Sequence, residues 1–586
     1  MVTRLIAFLL LFASLPSGAQ DVRRGDCTPD VNVSGAALAR GVRPLRLPSV
    51  YTRWDSTRLY RQAVILVSFE DTDFSLDNPQ EVYDSMLNSP GYNKRQGPGC
   101  AAEYLREQSG GLFNVKFDVY GPVKVSSKAQ PYSNPSESTR NYGREVFIEA
   151  TNKLIDSLQV DFSPYDWNGN GSVNQVVYVY AGYCGNQNAK ASYGHIWPNT
   201  SSFTTITTNG KRISDYTASA ELWTNNSSCG IGTILHEFTH SLGLPDIYPT
   251  VSSAGYSVMD EWDLMDGGNF INYGWCPPSY TPLEKMLLGW LTPVDLTEPQ
   301  TVENMKPLDE GGVVYRIKHS DSEWLLLENR QQKGWDVGTP GKGLLLYHVH
   351  YDRNAWSGNG VNNVKNKRRF ELIHADNMDY DNWYDYVTSW VKPMNYVNAE
   401  HMNSYLLSTS PYPWTTDSTT FVNDLLTNNS VPAAVMNTAN AAGSTMLSKS
   451  VTNIVQNGDG TISFDFMADA QKCATPTISY ENGRVRFHCE TEGARFVSEV
   501  TTADASEDGG EEVALGTKYY ITVYAKADGY ADSETVTGTL TWSNGAMTGE
   551  NIEVTDTNYA NGDVNHDGSV NVADISAVVD IMAGEE

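Results

Sequence analysis

The sequence predicts a multidomain protein with an α+β domain first, β-rich domains after it and a calcium-loop helix at the C-terminus. Three observations support this prediction. The chain has 586 residues, too many for one hydrophobic core, so we expect three to five domains. Helical and strand patterns are mixed up to about Trp290, whereas strand patterns dominate afterwards. The last residues contain a D-x-N-x-D-G loop followed by an apolar helical pattern.

The first domain contains both kinds of periodicity. Buried strands are predicted at Tyr60–Phe69, Gly111–Tyr120 and Val173–Tyr180, and a helix at Arg144–Leu158. Because strands and helices are mixed in irregular order, this pattern predicts an α+β or an α/β domain, and we assign α+β.

The rest of the chain has mostly strand patterns. Segments such as Gly312–Ile317 and Trp324–Glu328 are typical of buried strands, and Cys473–Trp542 has the size of a β-sandwich. We predict these boundaries: 20–56 leader or propeptide, 57–295 mixed domain, 296–468 β-rich domain, 473–543 β-sandwich and 559–586 calcium-loop unit.

The N-terminus has the pattern of a signal peptide, residues 1–19. Arg4 precedes the apolar run Leu5–Phe12, which is too short to span a bilayer as a stable helix, and small residues follow up to Ala19. A short membrane anchor is the alternative, but nothing extends the apolar run. We therefore expect a secreted, extracellular protein without a membrane span.

The charge balance constrains the partners. The formal net charge is −29 and the pI about 4.7, which argues against a nucleic-acid partner because such a partner requires a basic face. The acidity is explained by solubility and by some calcium ligands.

The chemistry is concentrated in residues 231–246, IGTILHEFTHSLGLPD. Apolar residues recur at helical spacing, so His236 and His240 lie about one turn apart and both imidazoles reach one ion. Glu237 is adjacent, Gly243 ends the helix, and Asp246 brings an oxygen to the same ion. Two imidazoles, one carboxylate and one open position are typical of catalytic zinc.

This segment resembles the HExxHxxGxxD motif of the M6 metallopeptidases, the immune inhibitor A type, which are similar to the metzincins. The resemblance implies a metzincin-like zinc protease domain at 57–295 with a methionine turn, for which Trp262–Gly268 supplies Met265. It extends over roughly Tyr60–Met467, including Pro282–Trp290 as a closing helix.

The predicted activity is hydrolysis of peptide bonds in extracellular proteins by a zinc-activated water, with Glu237 as general base. Tyr273, just after the methionine turn, is a positional candidate for a second oxyanion donor, and a core tyrosine is the alternative. The competing function is a surface-binding or scaffold protein with an inactive protease fold. The presence of Glu237 favours the enzyme, because an inactive descendant has no chemical need for the base.

Two loops are predicted to bind Ca²⁺. In the first, the oxygen residues alternate with Gly171 at the sixth position, but a bidentate Glu is missing, so an Asn/Gly-rich turn is the alternative. Its predicted ligands are Asp166, Asn168, Asn170, Ser172 and Asn174. The second, C-terminal loop has Gly568 at the sixth position and a complete ligand pattern. Its predicted ligands are Asp563, Asn565, Asp567, Ser569, Asn571 and Asp574.

Two further resemblances concern the C-terminal part. Residues 473–493 resemble a chitobiase/hexosaminidase C-terminal-type β-sandwich, and Cys473 and Cys489 are candidates for closing a loop there. Residues 563–582 resemble one type I dockerin repeat, which implies a cohesin-like or cell-surface partner. A solitary calcium-stabilised cap or attachment tail is the alternative.

The chain has seven cysteines, so at least one thiol has no disulfide partner. Cys27, in the predicted propeptide, is a candidate for a thiolate that occupies the open zinc position before activation. The alternatives are a disulfide with another cysteine or a free surface thiol.

Overall fold

The structure is a computed structural model, and the predictions that concern the chain ends lie outside the residues it describes. These predictions are the signal peptide, the leader up to Arg53, the role of Cys27 and the C-terminal calcium loop with its six ligands. The described residues are 54–133, 139–186, 190–255, 257–379, 407–415, 422–441, 443–468, 471–481, 484–504, 517–527, 530–543, 546–555 and 572.

The chain divides into two compact units. The first unit comprises Met1–Asp295, Asn304–Asp424 and Ile454–Ser463, and the second comprises Leu296–Glu303, Leu425–Asn453 and Phe464–Glu586. The domain boundaries predicted from the sequence remain predictions.

A five-stranded sheet organises the first part of the first unit, in the order β2-β1-β3-β5-β4. Neighbouring strands are parallel except for the edge strand β4, which is antiparallel to β5. The strands are β1 Leu59–Ser68, β2 Asn114–Lys124, β3 Val176–Tyr183, β4 Asn199–Thr208 and β5 Lys211–Leu222. The helices are α1 Pro79–Asn88, α2 Ala101–Gln108, α3 Arg140–Leu158, α4 Ile231–Leu242 and α5 Pro282–Leu287.

Helices cover both faces of this sheet. Along β1, Val64 belongs to the same apolar cluster as Phe238 of α4, whereas the next residue, Ile65, belongs to the cluster of Phe147 of α3. This alternation follows from the period of two along a strand. Parallel strands between two helical layers describe an α/β domain, so the alternative that the sequence left open fits better than α+β.

A second five-stranded sheet belongs to the same unit, in the order β11-β10-β9-β8-β6. Leu326 of β9 and Tyr347 of β10 belong to the same apolar cluster as Phe238 of α4, so this sheet and the α4 helix share one core. The elements are β6 Val294–Asp295, β8 Tyr315–Lys318, β9 Glu323–Arg330, β10 Gly343–His350, α6 Arg353–Ser357 and β11 Phe370–Leu372.

Apart from short 3-10 helices, the remaining described elements are strands. Short strands are β7 Gln300–Met305, β12 Trp414–Thr415, β13 Val422–Asn423, β14 Val451–Gln456 and β15 Ile462–Phe466. The second unit ends in a three-stranded sheet, β17-β16-β22, and a four-stranded sheet, β18-β19-β20-β21. Ile478 of the former and Ile521 of the latter belong to one core, as expected for a β-sandwich. Their bounds are β16 Thr477–Glu481, β17 Arg484–His488, β18 Arg495–Asp504, β19 Thr517–Lys526, β20 Val536–Ser543, β21 Ala546–Glu550 and β22 Glu553–Val554.

Two whole-chain predictions can be compared with the described residues. Within them, no helix combines the length and the hydropathy needed to cross a membrane. The six cysteines that are described all carry free thiols, so Cys473 and Cys489 do not close the predicted loop. The Cys489 thiol instead donates to the carbonyl oxygen of Ala474 at 3.1 Å.

Candidate metal centre

The α4 helix, Ile231–Leu242, is held in the core by close backbone contact. A Cβ atom on Gly232 would lie 2.2 Å from the carbonyl oxygen of Asn269, so only glycine permits this approach. Gly243 follows the helix with φ of 103°, and its N–H donates to the carbonyl oxygen of His240. This left-handed C-terminal residue turns the chain back towards the helix, as the sequence predicts.

The turn brings three buried side chains together. The Oδ1 atom of Asp246 lies 3.3 Å from Nε2 of His236 and 3.2 Å from Nε2 of His240. The three ligand atoms lie within 4.8 Å of one another, and none of them has a hydrogen-bond partner within the described structure. Two imidazole nitrogens and one carboxylate oxygen that converge in this way fit a zinc ion with an open position.

The outer nitrogen of each imidazole is fixed by a backbone carbonyl. Nδ1 of His236 lies 2.8 Å from the oxygen of Leu264, and Nδ1 of His240 lies 2.8 Å from the oxygen of Leu244. Because a carbonyl only accepts, each Nδ1 carries the proton, and each Nε2 keeps its lone pair for a metal.

Asp246 is held by one amide side chain. Asn359 accepts from the backbone N–H of Asp246 at 2.7 Å and donates Nδ2–H to Oδ2 of Asp246 at 2.7 Å. Burial raises the pKa of Asp246, whereas imidazoles of His240 and His236 that are protonated in the absence of metal lower it, and the net result is a pKa below its usual range.

Glu237 contacts the edge strand of the sheet. The hydroxyl of Thr200, at the start of β4, lies 2.7 Å from the backbone oxygen of Glu237 and 2.9 Å from its Oε2. Glu237 is fully buried beside His236. The Thr200 hydroxyl therefore orients a carboxylate that directly follows His236 in the α4 helix.

Met265 lies in the turn that the sequence predicts as a methionine turn. It is fully buried, its N–H donates to Oδ1 of Asp263 at 2.6 Å, and its carbonyl accepts from Ile247, next to Asp246. Its neighbour Leu264 supplies the carbonyl that orients His236. Burial and the Glu284 carboxylate raise the pKa of Asp263 well above its usual range. The turn therefore bonds to both ends of the ligand set, through Leu264 to His236 and through Met265 to Ile247, the neighbour of Asp246.

The first predicted calcium loop has a cation of its own. The ammonium of Lys211 lies 2.8 Å from Oδ2 of Asp166, which also accepts from the N–H of Gly171. The amide oxygens of Asn168, Asn170 and Asn174 accept backbone N–H groups of the loop, and the hydroxyl of Ser172 contacts Arg212. The calcium role of these oxygens stays a prediction, and the turn alternative stays open beside it.

Tyr273 lies at a partly exposed position. Its hydroxyl lies 3.4 Å from Nδ2 of Asn225, and the guanidinium of Arg95 lies 5.3 Å from its ring centroid. The role of Tyr273 as an oxyanion donor stays a prediction.

Sequence reasoning missed two residues of the centre, Thr200 and Asn359. Thr200 is one of many strand threonines, and its partner is 37 positions away. Asn359 belongs to an asparagine-rich segment, GNGVNN, whose composition indicates only a loop. The adjacent glycines and asparagines were a signal for an unusual backbone, but not for the contact with Asp246.

Comparison with known proteins agrees with this geometry. Residues 63–277 match the family described as "Immune inhibitor A peptidase M6, catalytic domain". "Immune inhibitor A" of Bacillus thuringiensis subsp. alesti is 27% identical over 217 residues, 31% of this chain and 31% of that relative. "Pre-pro-metalloprotease PrtV" of Vibrio cholerae serotype O1 (strain M66-2) is 23% identical over 250 residues, 37% of this chain and 26% of that relative.

The chain therefore spans about a third or less of the length of these relatives. The matched region contains the α4 helix, the three converging side chains and Met265 of the predicted methionine turn, whereas Asn359 lies beyond it. Residues 63–277 are thus similar to the catalytic domain of immune inhibitor A peptidase M6, and metalloproteases are among the relatives of this chain.

Proposed function

We propose that this chain is a secreted, zinc-dependent endopeptidase that hydrolyses peptide bonds of extracellular proteins. One observation carries the proposal. Three buried ligand atoms, from His236, His240 and Asp246, converge on one point, and the carboxylate of Glu237 follows the first of them on the same helix. The similarity of residues 63–277 to a peptidase catalytic domain supports the proposal.

The residues of the chain have separate tasks in this reaction. A bound zinc ion supplies Lewis-acid chemistry, which polarises a scissile carbonyl and makes water more acidic. His236 and His240 present Nε2, and Asp246 presents Oδ1, because their other polar atoms are bonded elsewhere. Glu237 takes the proton of the attacking water on its carboxylate and passes it to the leaving amine.

Calcium belongs to the proposal at the C-terminal loop, and the loop from Asp166 to Asn174 remains a second predicted site. Asp563, Asn565, Asp567, Ser569, Asn571 and Asp574 provide the spacing of oxygen ligands that this ion prefers. We propose that this loop orders the following helix and connects the protein to a cohesin-like or cell-surface partner. Protein or peptide chains remain the proposed substrates of the zinc centre.

The decisive experiment separates metal binding from catalysis. Glu237→Ala is expected to retain one zinc ion per chain and to lose casein hydrolysis, because it removes only the general base. His236→Ala is expected to lose both zinc and hydrolysis. Zinc content by elemental analysis and hydrolysis of labelled casein are measured on the same samples. Hydrolysis at near wild-type rate by Glu237→Ala would contradict the assigned mechanism.

The alternative function, a surface-binding protein with an inactive protease fold, predicts a different result in this assay. Zinc-loaded wild type would then bind zinc and cleave no member of a diverse peptide library. Such a result would exclude the enzyme and favour a binding role.

A further inference from the structure

We propose that Asn359 is a positioning residue for Asp246, so the metal centre is completed by a segment that lies outside the peptidase-like residues 63–277. This inference rests on the proposed function, because it treats Asp246 as a metal ligand. The segment is residues 358–363, which we call the asparagine loop.

The contact of Asn359 with Asp246 is a two-point contact. One side-chain amide accepts from the backbone N–H and donates to Oδ2 of the same residue, both at 2.7 Å. A planar amide that binds main chain and carboxylate together fixes how the carboxylate is turned relative to its own backbone. Oδ2 is thereby occupied, and Oδ1 is the atom left to face His236 and His240.

The contact between Asn359 and Asp246 is shielded from water and leaves Asp246 negatively charged. Asn359 is 1% exposed and Asp246 is 0% exposed, so water does not compete for these hydrogen bonds. The amide is neutral, so it stabilises the carboxylate without cancelling the negative charge that a zinc ion needs. Hydrogen bonds of this kind to a metal ligand are known to tune metal affinity.

The backbone explains why an asparagine occupies position 359. The residue has φ of 53°, in the left-handed region, just after the short helix α6, Arg353–Ser357. Asparagine tolerates this conformation better than most residues other than glycine. The Asn359 side chain therefore projects from a left-handed turn, and the rest of the loop must hold this turn in place.

The other asparagines of the loop hold the chain that follows Asp246. Asn362 donates to the carbonyl oxygen of Ile247 at 2.8 Å, and Asn363 accepts from the N–H of Thr250 at 2.7 Å. The guanidinium of Arg368 donates to the carbonyl oxygens of Asn362 and Ala254. Only Asn359 contacts a ligand side chain, whereas Asn363 contacts the same segment four residues further on. The loop thus supplies its own matched control.

The test uses the full-length chain with three substitutions. Asn359→Asp keeps the size and the backbone tolerance of asparagine but replaces the Nδ2 donor by an oxygen opposite the Asp246 carboxylate. Asn359→Gly removes the side chain at a position where alanine would strain the left-handed backbone. Asn363→Ala removes the contact with Thr250 and leaves Asp246 untouched.

Zinc affinity is measured by competition with a chromogenic chelator, and folding is checked on metal-free protein by thermal unfolding. Both Asn359 variants are expected to bind zinc about 10- to 100-fold more weakly than wild type. Asn363→Ala is expected to keep wild-type affinity while its unfolding temperature falls. A purely structural role of Asn359 would lower the unfolding temperature and leave the affinity unchanged.

The possible failures are distinguishable. Wild-type zinc affinity in both Asn359 variants overturns the inference and leaves the proposed function intact. An equal loss of affinity in Asn363→Ala also overturns it, because loop stability would then determine the affinity. A wild-type chain that binds no zinc removes the proposed function together with the inference.

Discussion

At the scale of single residues, Thr200 links the edge strand β4 to the proposed general base. Its hydroxyl lies 2.9 Å from Oε2 of Glu237. Thr200→Val keeps the shape of the side chain and removes this contact. Since a hydrogen bond to a charged group contributes about 1.5–3 kcal/mol, we expect kcat to fall about 10- to 100-fold at unchanged zinc affinity. Steady-state kinetics on a fluorogenic peptide measures this fall.

The controls for Thr200 are a conservative variant and a neighbour. Thr200→Ser retains a hydroxyl and is expected to recover most of the activity. Thr204→Val alters an exposed threonine of the same strand and is expected to change nothing. If Thr200→Val had the kcat of wild type, the hydroxyl would have no part in orienting Glu237.

Local residues of the centre could be predicted from the sequence, and distant ones could not. His236, Glu237 and His240 lie within one helix, so spacing alone predicts that they share a face, and Gly243 predicts the turn to Asp246. Asn359 reaches Asp246 across 113 positions. No periodicity encodes such a pairing, because tertiary packing decides it.

At the scale of elements, a charged histidine joins three strands of the second sheet. Nε2 of His348 in β10 lies 2.7 Å from Oε1 of Glu323 in β9, and Nδ1 lies 3.2 Å from Oε1 of Glu371 in β11. Burial lowers the pKa of His348, but the hydrogen bonds to Glu323 and Glu371 outweigh burial and raise it to about 9. Both ring nitrogens therefore donate at neutral pH.

This element predicts a pH dependence of stability with a definite sign. The folded pKa of His348 lies above its unfolded value of about 6.5, so its contribution is complete below that pH and disappears as the pH rises through about 9. The contribution is at most about 3 kcal/mol. Urea unfolding of metal-free protein, followed by tryptophan fluorescence, measures it.

The comparison of variants isolates this effect from other titrating groups. The stability difference between wild type and His348→Gln is expected to be largest near pH 6, to shrink as the pH rises from about 6.5 to about 9, and to stay constant above that. His488→Gln, at a histidine whose side chain is 74% exposed, is expected to show no such change. A pH-independent difference for His348→Gln would mean that folding does not raise the pKa of His348.

For elements with strong periodicity, the predicted bounds lie within a few residues of the observed ones. β1 spans Leu59–Ser68 where Tyr60–Phe69 was expected, and α3 begins at Arg140 rather than Arg144. The sequence pattern missed the first turn of this helix because that turn is polar and carries no apolar stripe. The parallel order of β1, β2 and β3 was not predicted, because pairing depends on contacts between distant segments.

At the scale of the whole molecule, metal binding is expected to stabilise the unit that contains the centre. A ligand that binds only the folded state adds about 2.7 kcal/mol to stability at a free concentration of 100 Kd. Differential scanning calorimetry with zinc and with a chelator should show one transition that moves with zinc. His236→Ala should abolish this movement. The same movement in His236→Ala would mean that zinc acts at another site.

The sequence predicted several domains, but it did not predict which segments share a core. The described residues of 304–424 belong to one compact unit with those up to Asp295, and the predicted boundary near residue 295 stays a prediction. Leu326 and Tyr347 pack in the same apolar cluster as Phe238 of α4. A change from mixed to strand-rich pattern indicates a change of architecture, and it does not indicate whether the two parts share one core.

The separation of Asp246 and Asn359 along the sequence also affects the order in which the centre forms. A ribosome adds Asp246 113 codons before it reaches Asn359, and contacts between such distant residues form later in folding than local ones. During synthesis, the nascent chain therefore carries both histidines before Asp246 is held in position. On this schedule the proposed metal centre is completed only after residues 63–277 have been made, so the proposed activity is expected to arise late in the production of each chain.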